Sequence, residues 1–117
     1  MLTSDDKLTD ELSALYRDGG ESVPLKSLTD FEWDEFGFVS EGTPATKIEE
    51  VFGQRLTQDK FYLNSTNLFV FKKDGQVVRA IMLPLDVFVA ADSGKLYPDT
   101  VRVEKETEHL QLLRFTL

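Results

Sequence analysis

The stretch Asn67–Leu83, NLFVFKKDGQVVRAIML, decides how the rest of the chain is read. Two runs rich in β-branched and aromatic residues flank Asp74-Gly75. That dipeptide favours a two-residue type I′ turn, because both central residues take positive φ. Such a turn pairs Lys73 with Gln76, Phe71 with Val78 and Phe69 with Ala80. Alternation then predicts Phe69, Phe71, Val78, Ala80 and Met82 on one face, the core face. Leu68, Val70, Lys72, Val77, Arg79 and Ile81 take the other, apolar at its far end and charged near the turn. Pro84 ends the hairpin.

Upstream lies Asp30–Val39, DFEWDEFGFV, which crowds carboxylates around the single tryptophan. Aromatic content predicts a strand over Trp33–Val39. Neither alternating set is wholly polar, so both faces are expected to be partly covered. Asp30, Glu32, Asp34 and Glu35 would emerge at its start and edge, where charge discourages pairing with other chains.

Two helices are predicted. In the first, about 4–18, Thr3 or Ser4 caps a first turn carrying Asp5 and Asp6. Leu8, Leu12, Leu15 and Tyr16 make one apolar stripe, and Gly19-Gly20 ends it. In the second, Thr43 is the cap, Pro44 stands at the first helical position, and Gly53 closes the end. Its buried stripe is Ile48, Val51 and Phe52. Between the helices, Leu25 and Leu28 tack a connection to the core.

Phe61, Tyr62 and Leu63 read as a short strand, and Asp86–Asp92 as a strand or an inward loop. Ser93-Gly94 and Pro98 mark a loop. Thr100–Lys105 and Leu110–Leu117 alternate and predict a last hairpin around Glu106–His109. Val101 and Val103 share one face of it, and Leu113, Phe115 and Leu117 another. The order predicts a single α+β domain over residues 1–117, with two helices packed on one face of a mainly antiparallel sheet of about five strands.

The chain has 117 residues, enough for one domain with a modest core. Its apolar share is 41% and its charged share 29%, which fits a soluble globular protein. No apolar run is long enough to span a bilayer. The opening residues MLTSDDKLTDE lack a basic start and an apolar core, so no secretory leader is expected and a cytoplasmic location is. Cysteine is absent, which excludes disulfides, thiolate catalysis and thiolate metal sites.

The net charge is −8. Residues 1–60 hold 14 acids and 6 bases, while residues 61–117 hold 7 of each, so the whole excess lies in the first half. A surface of that sign repels phosphate backbones, which disfavours nucleic acid as a partner. It steers basic proteins toward itself.

Chemistry has few footholds. The one histidine, His109, falls in the predicted last turn with Glu106 and Glu108, too loose for a metal centre. No calcium loop, Gly-rich phosphate loop or serine elbow is present. Asp34 and Glu35 are adjacent and would point to opposite faces of a strand. Glu32 and Asp34 share a face without a relay. No metal, no cofactor and no catalytic residue is expected, and a small hydrolase would need a concave pocket holding two acids.

FEWDEFGFVSEGTPATKIEEVFG, followed by NLFVFKKDGQVVRAIMLP and VRVEKETEHLQLLRF, resembles a group of small bacterial α+β proteins. These share a Trp-Asp strand, a short helix ending in glycine and a Phe-rich hairpin. The likeness covers roughly residues 30–115, on Trp33-Asp34, Gly53 and Phe69–Val78. Some members look like lipoproteins, and similar small acidic proteins occur as immunity proteins beside secreted toxins. This chain departs from the lipoprotein members in lacking a signal peptide and a lipid-accepting cysteine. The resemblance implies a fold and carries over no catalytic residue.

The expectation is therefore a non-enzymatic cytoplasmic immunity protein. It would neutralise a basic toxin, such as a nuclease-type effector, without contacting membrane. The residues expected to hold that partner are Asp30, Glu32, Trp33, Asp34, Glu35 and Glu41, with Glu49 and Glu50 as a second patch. Trp33 would be a partial anchor. The alternative is a structural or regulatory adaptor that uses a sheet edge.

Overall fold

The computed structural model describes residues 2–57, 59–62, 66–89, 92–106 and 111–117. The hairpin at its centre pairs β4 (Asn67–Lys73) with β5 (Gln76–Leu83). Asp74 and Gly75 take φ of 52° and 83°, as a type I′ turn requires. Lys73 faces Gln76 as expected, but the register then shifts at Phe71/Lys72. Lys72 faces Val77, Phe71 faces Arg79, and Phe69 faces Ile81. Val78 is the extra residue of a β-bulge, and every residue of β5 beyond it changes face.

That bulge corrects the expected core face. Phe69 and Phe71 share their side with Ile81 and Leu83, and Leu68 and Val70 share theirs with Ala80 and Met82. Val78 is exposed. Both faces of the hairpin are core, because a different layer covers each.

The hairpin sits in a five-stranded sheet of order β1-β5-β4-β3-β6, with β3 at Glu35–Val39 and β6 at Tyr97–Pro98. β1 (Leu2–Ser4) was not foreseen. It runs parallel to β5, while the other pairs are antiparallel. Three residues give too little alternation to mark a strand in sequence. β1 also moves the first helix: α1 spans Asp6–Asp18, and its cap is Asp5, whose carboxylate accepts the Leu8 amide at 3.0 Å. Thr3 and Ser4 are strand residues. α2 spans Ala45–Phe52 with Pro44 at the cap, one position later than expected, and Thr43 donates its hydroxyl to the Ser40 carbonyl. Gly53 closes α2 at φ 81°, in the left-handed region.

A second sheet orders β2 (Val23–Pro24), β7 (Arg102–Lys105) and β8 (Leu113–Thr116). The expected last hairpin is thus present as β7 and β8. Thr107–Leu110, including His109 and Glu108, lie outside the described residues, as does Leu63. Val101, Val103, Leu113 and Phe115 are buried, but Leu117 is 80% exposed and leaves the face predicted for it.

The class is α+β, as expected, but the helices do not share a face. Leu8 and Leu12 of α1 join the aromatic core of Trp33, Phe36, Phe38, Phe69 and Phe71, together with the second sheet. Ile48 and Phe52 of α2 cover the opposite side over Val39, Leu68 and Val70. Five consecutive residues of β3 cannot expose a face under those conditions, and Phe36–Val39 are all buried. Gly37 is required there. A Cβ on it would stand 2.6 Å from the Lys95 carbonyl oxygen and 2.7 Å from the Phe52 ring.

Candidate functional site

Trp33 is the first of the expected docking residues to be reassigned. Its side chain is 1% exposed and packs edge-on to Phe71 at 5.1 Å. The indole N–H donates to the Thr29 hydroxyl at 2.9 Å. Lys26, from the short 3-10 turn Leu25–Leu28, donates to the Trp33 carbonyl at 2.9 Å and to Asp99 at 2.8 Å. Trp33 therefore anchors the core and has no surface to offer a partner.

Asp34 and Glu35 are half-buried. The Asp34 carboxylate accepts the Asp74 amide at 3.0 Å, and its own amide donates to the Lys72 carbonyl at 2.8 Å. Glu35 is the cross-strand neighbour of Lys72. Nor is β3 an edge: β4 flanks it on one side, and on the other β6 and residues 93–94 cover it. Edge protection does not explain these acids. Asp34 ties the start of β3 to the hairpin turn.

Asp30 and Glu32 are exposed, on either side of Phe31. Phe31 packs edge-to-face with Phe71 at 5.0 Å, and the Arg79 guanidinium lies 5.0 Å from the Phe31 ring centroid. This is the side of the sheet that carries α1, whose Asp6, Asp10, Glu11 and Asp18 are also exposed. Sequence reasoning used only Asp6 of these, as a helix-start signal, and gave the α1 acids no part in binding. Residues 1–40 hold ten acids and three bases, net −7.

Glu49 and Glu50 are exposed on α2, across the sheet from that surface. Glu41 lies elsewhere again. With Thr66, Asn67, Leu85 and Asp86 it lines a cavity of about 270 Å³, where β3 ends and β4 begins. The eight predicted residues thus fall into five settings: core, turn brace, α1 side, α2 and cavity. Adjacency in sequence carried the grouping, and the sheet separates it.

Asn67 is the cavity residue that sequence reasoning missed. It is 5% exposed, and its amide N–H donates to the Leu85 carbonyl. A polar residue opening a hydrophobic strand was the available signal. Beside it the Tyr62 and Thr66 hydroxyls share a hydrogen bond of 2.6 Å.

Among the described residues, no group of three acidic or histidine side chains could hold a metal ion. Among the same residues, no helix is long and apolar enough to cross a membrane. Comparison with protein-family models, curated proteins and solved structures finds no match for this chain.

Proposed function

We propose that this chain is a non-enzymatic immunity-type inhibitor that binds a basic toxin, with a nuclease-type effector as the fitting class. The supporting observation is the exposed set of carboxylates on α1 and at Asp30 and Glu32. These stand over one core, within a segment of net charge −7. Such a surface accelerates encounter with a cationic partner and can occupy the place where phosphate would bind. The resemblance to small acidic immunity proteins points the same way. On this reading Asp30 and Glu32 carry the contact. Glu49 and Glu50 on α2, and Glu41 at the cavity, lie apart from that contact, and a cytoplasmic location follows from the role.

The alternative, an adaptor pairing through a sheet edge, finds little to pair with at two of the four edges, β8 and β6. The outward amides of β8 are already taken: Leu113 donates to the Val87 carbonyl at 2.7 Å and Phe115 to the Asp92 carboxylate at 3.1 Å. β6 is two residues long and contains Pro98, which has no N–H to offer.

Co-expression with the protein encoded beside this gene tests the proposal. Rescue of cells from that protein's toxicity, and recovery of a stable complex that weakens with salt, are expected. A salt-insensitive complex, or no rescue, contradicts it.

A further inference from the structure

Asp-Gly steps occur twice in the chain, at Asp18-Gly19 and at Asp74-Gly75. Such a step carries its own chemistry. The backbone nitrogen of the glycine can attack Cγ of the aspartate, because glycine has no Cβ to hinder the approach. With the carboxyl in its acid form, the N–Cγ bond forms and the Cγ–OH bond breaks. The hydroxyl and the amide proton leave together as water, and the product is a cyclic succinimide. Water then opens the ring at either carbonyl. Opening at the former backbone carbonyl routes the chain through Cγ and gives isoaspartate. The backbone gains a methylene carbon and the α-carboxylate becomes free.

The fold sets the two steps apart. At Asp18 the attacking nitrogen is occupied: the Gly19 amide donates to the Leu15 carbonyl at 2.9 Å and closes α1. The Asp18 carboxylate is also engaged, with the Arg17 Nε at 3.4 Å. At Asp74 the corresponding nitrogen is unengaged. Among the described residues the Gly75 amide donates to no partner, and Asp74, Gly75 and Gln76 are all exposed. The restraint on this turn lies a peptide earlier, where the Asp74 amide donates to the Asp34 carboxylate at 3.0 Å. Ring closure needs the turn to open, and the bond to Asp34 resists that local opening.

We propose that Asp74-Gly75 is a self-modification site, at which Asp74 converts to isoaspartate through a succinimide while the Asp34 carboxylate restrains the conversion. The site is independent of the partner reading. A two-residue type I′ turn has no place for an added backbone atom, and this turn sets the pairing of Lys73 with Gln76. Conversion therefore unlatches the turn from Asp34 and from the start of β3. It gives the central hairpin a slow change that unaided refolding does not reverse.

The test is to age the full chain at physiological temperature in mildly acidic buffer, digest it, and measure isoaspartate in the peptides holding Asp18 and Asp74. An isoaspartyl carboxyl methyltransferase with a labelled methyl donor is the probe, and fragment masses place the label. Conversion at Asp74 should run about fivefold faster than at Asp18, the weight of a free glycine amide against a bonded one. Asp34→Ala should speed Asp74 a further fivefold or so, about the worth of the lost hydrogen bond, and leave Asp18 unchanged. In guanidinium chloride the two steps should convert at similar rates. Equal rates in the folded chain, conversion at neither site, or an unaltered Asp74 rate in Asp34→Ala would overturn the proposal. A preference for Asp74 that persists undiminished in denaturant would overturn it too, because local sequence and not the fold would then set the rate.

Discussion

The carboxylate of Asp34 accepts the backbone amide of Asp74 at 3.0 Å, joining residues 40 positions apart in sequence. One of the most conspicuous acids in the chain thus holds the hairpin turn against the start of β3. Asp34→Ala should cost about 1 kcal/mol of stability, the worth of one such hydrogen bond. It should leave partner affinity within about twofold, roughly 0.4 kcal/mol. Urea unfolding read beside a binding titration checks both. A large loss of affinity with unchanged stability would return Asp34 to the docking surface.

The bulge at Val78 sets the register of β5 and is open to direct trial. Ile81→Ala should cost about 2–5 kcal/mol, as for a core aliphatic residue. Val78→Ala should cost less than about 1 kcal/mol, because that side chain is exposed. An unshifted hairpin predicts the reverse order. Comparing the two unfolding midpoints therefore distinguishes the registers.

Gly37 has no room for a methyl group. The Lys95 carbonyl and the Phe52 ring both lie under 3 Å from where a Cβ would be. Gly37→Ala should destabilise by about 2 kcal/mol or more, since α2 must lift from β3 to admit it. Adding Phe52→Leu should recover part of the loss. Additive losses in the double variant would show that the ring is not the obstacle.

Tyr97 gives the alkaline limb of stability a distinct signature. Burial, and then the nearby Asp92 charge, raise its phenol above the ordinary 10.0. The folded chain therefore keeps this proton to higher pH than the unfolded chain does. The resulting stabilisation is fully present below pH 10.0 and is lost as pH rises through the raised folded value. Tyr97→Phe should flatten the alkaline fall in stability. Asp92→Asn should lower the Tyr97 transition only part of the way, because burial is the larger cause. Ultraviolet titration of both variants reads this out. A transition unchanged in Asp92→Asn would remove the electrostatic contribution.

Much of the fold was legible from local chemistry. Asp74-Gly75 located the central turn, Gly19 and Gly53 located two helix ends, and alternation located the last strands. What escaped depends on tertiary placement. One inserted residue at Val78 exchanged the faces of β5, and no local signal near Val77 or Arg79 distinguishes a bulge from a plain hairpin. The division of the helices between two faces was hidden for the same reason. Both faces of β4 are apolar, and the sequence does not say which helix each one meets. The candidate site was harder still. Asp30, Glu32, Trp33 and Asp34 are neighbours in sequence, yet the strand start sends one into the core, one to a turn and two to solvent. Asn67 and Asp86 meet only because β4 and the exit of β5 lie side by side.

The most direct measurement is the affinity of the partner encoded beside this gene for the wild-type chain and for Asp30→Lys/Glu32→Lys, at low and high salt. The account predicts that affinity falls steeply with salt for the wild type. It predicts a further loss of about tenfold or more in the double variant, with a much flatter salt dependence. Equal affinity and equal salt dependence in the two proteins would contradict it, and would leave those carboxylates as solvated charges beside Phe31.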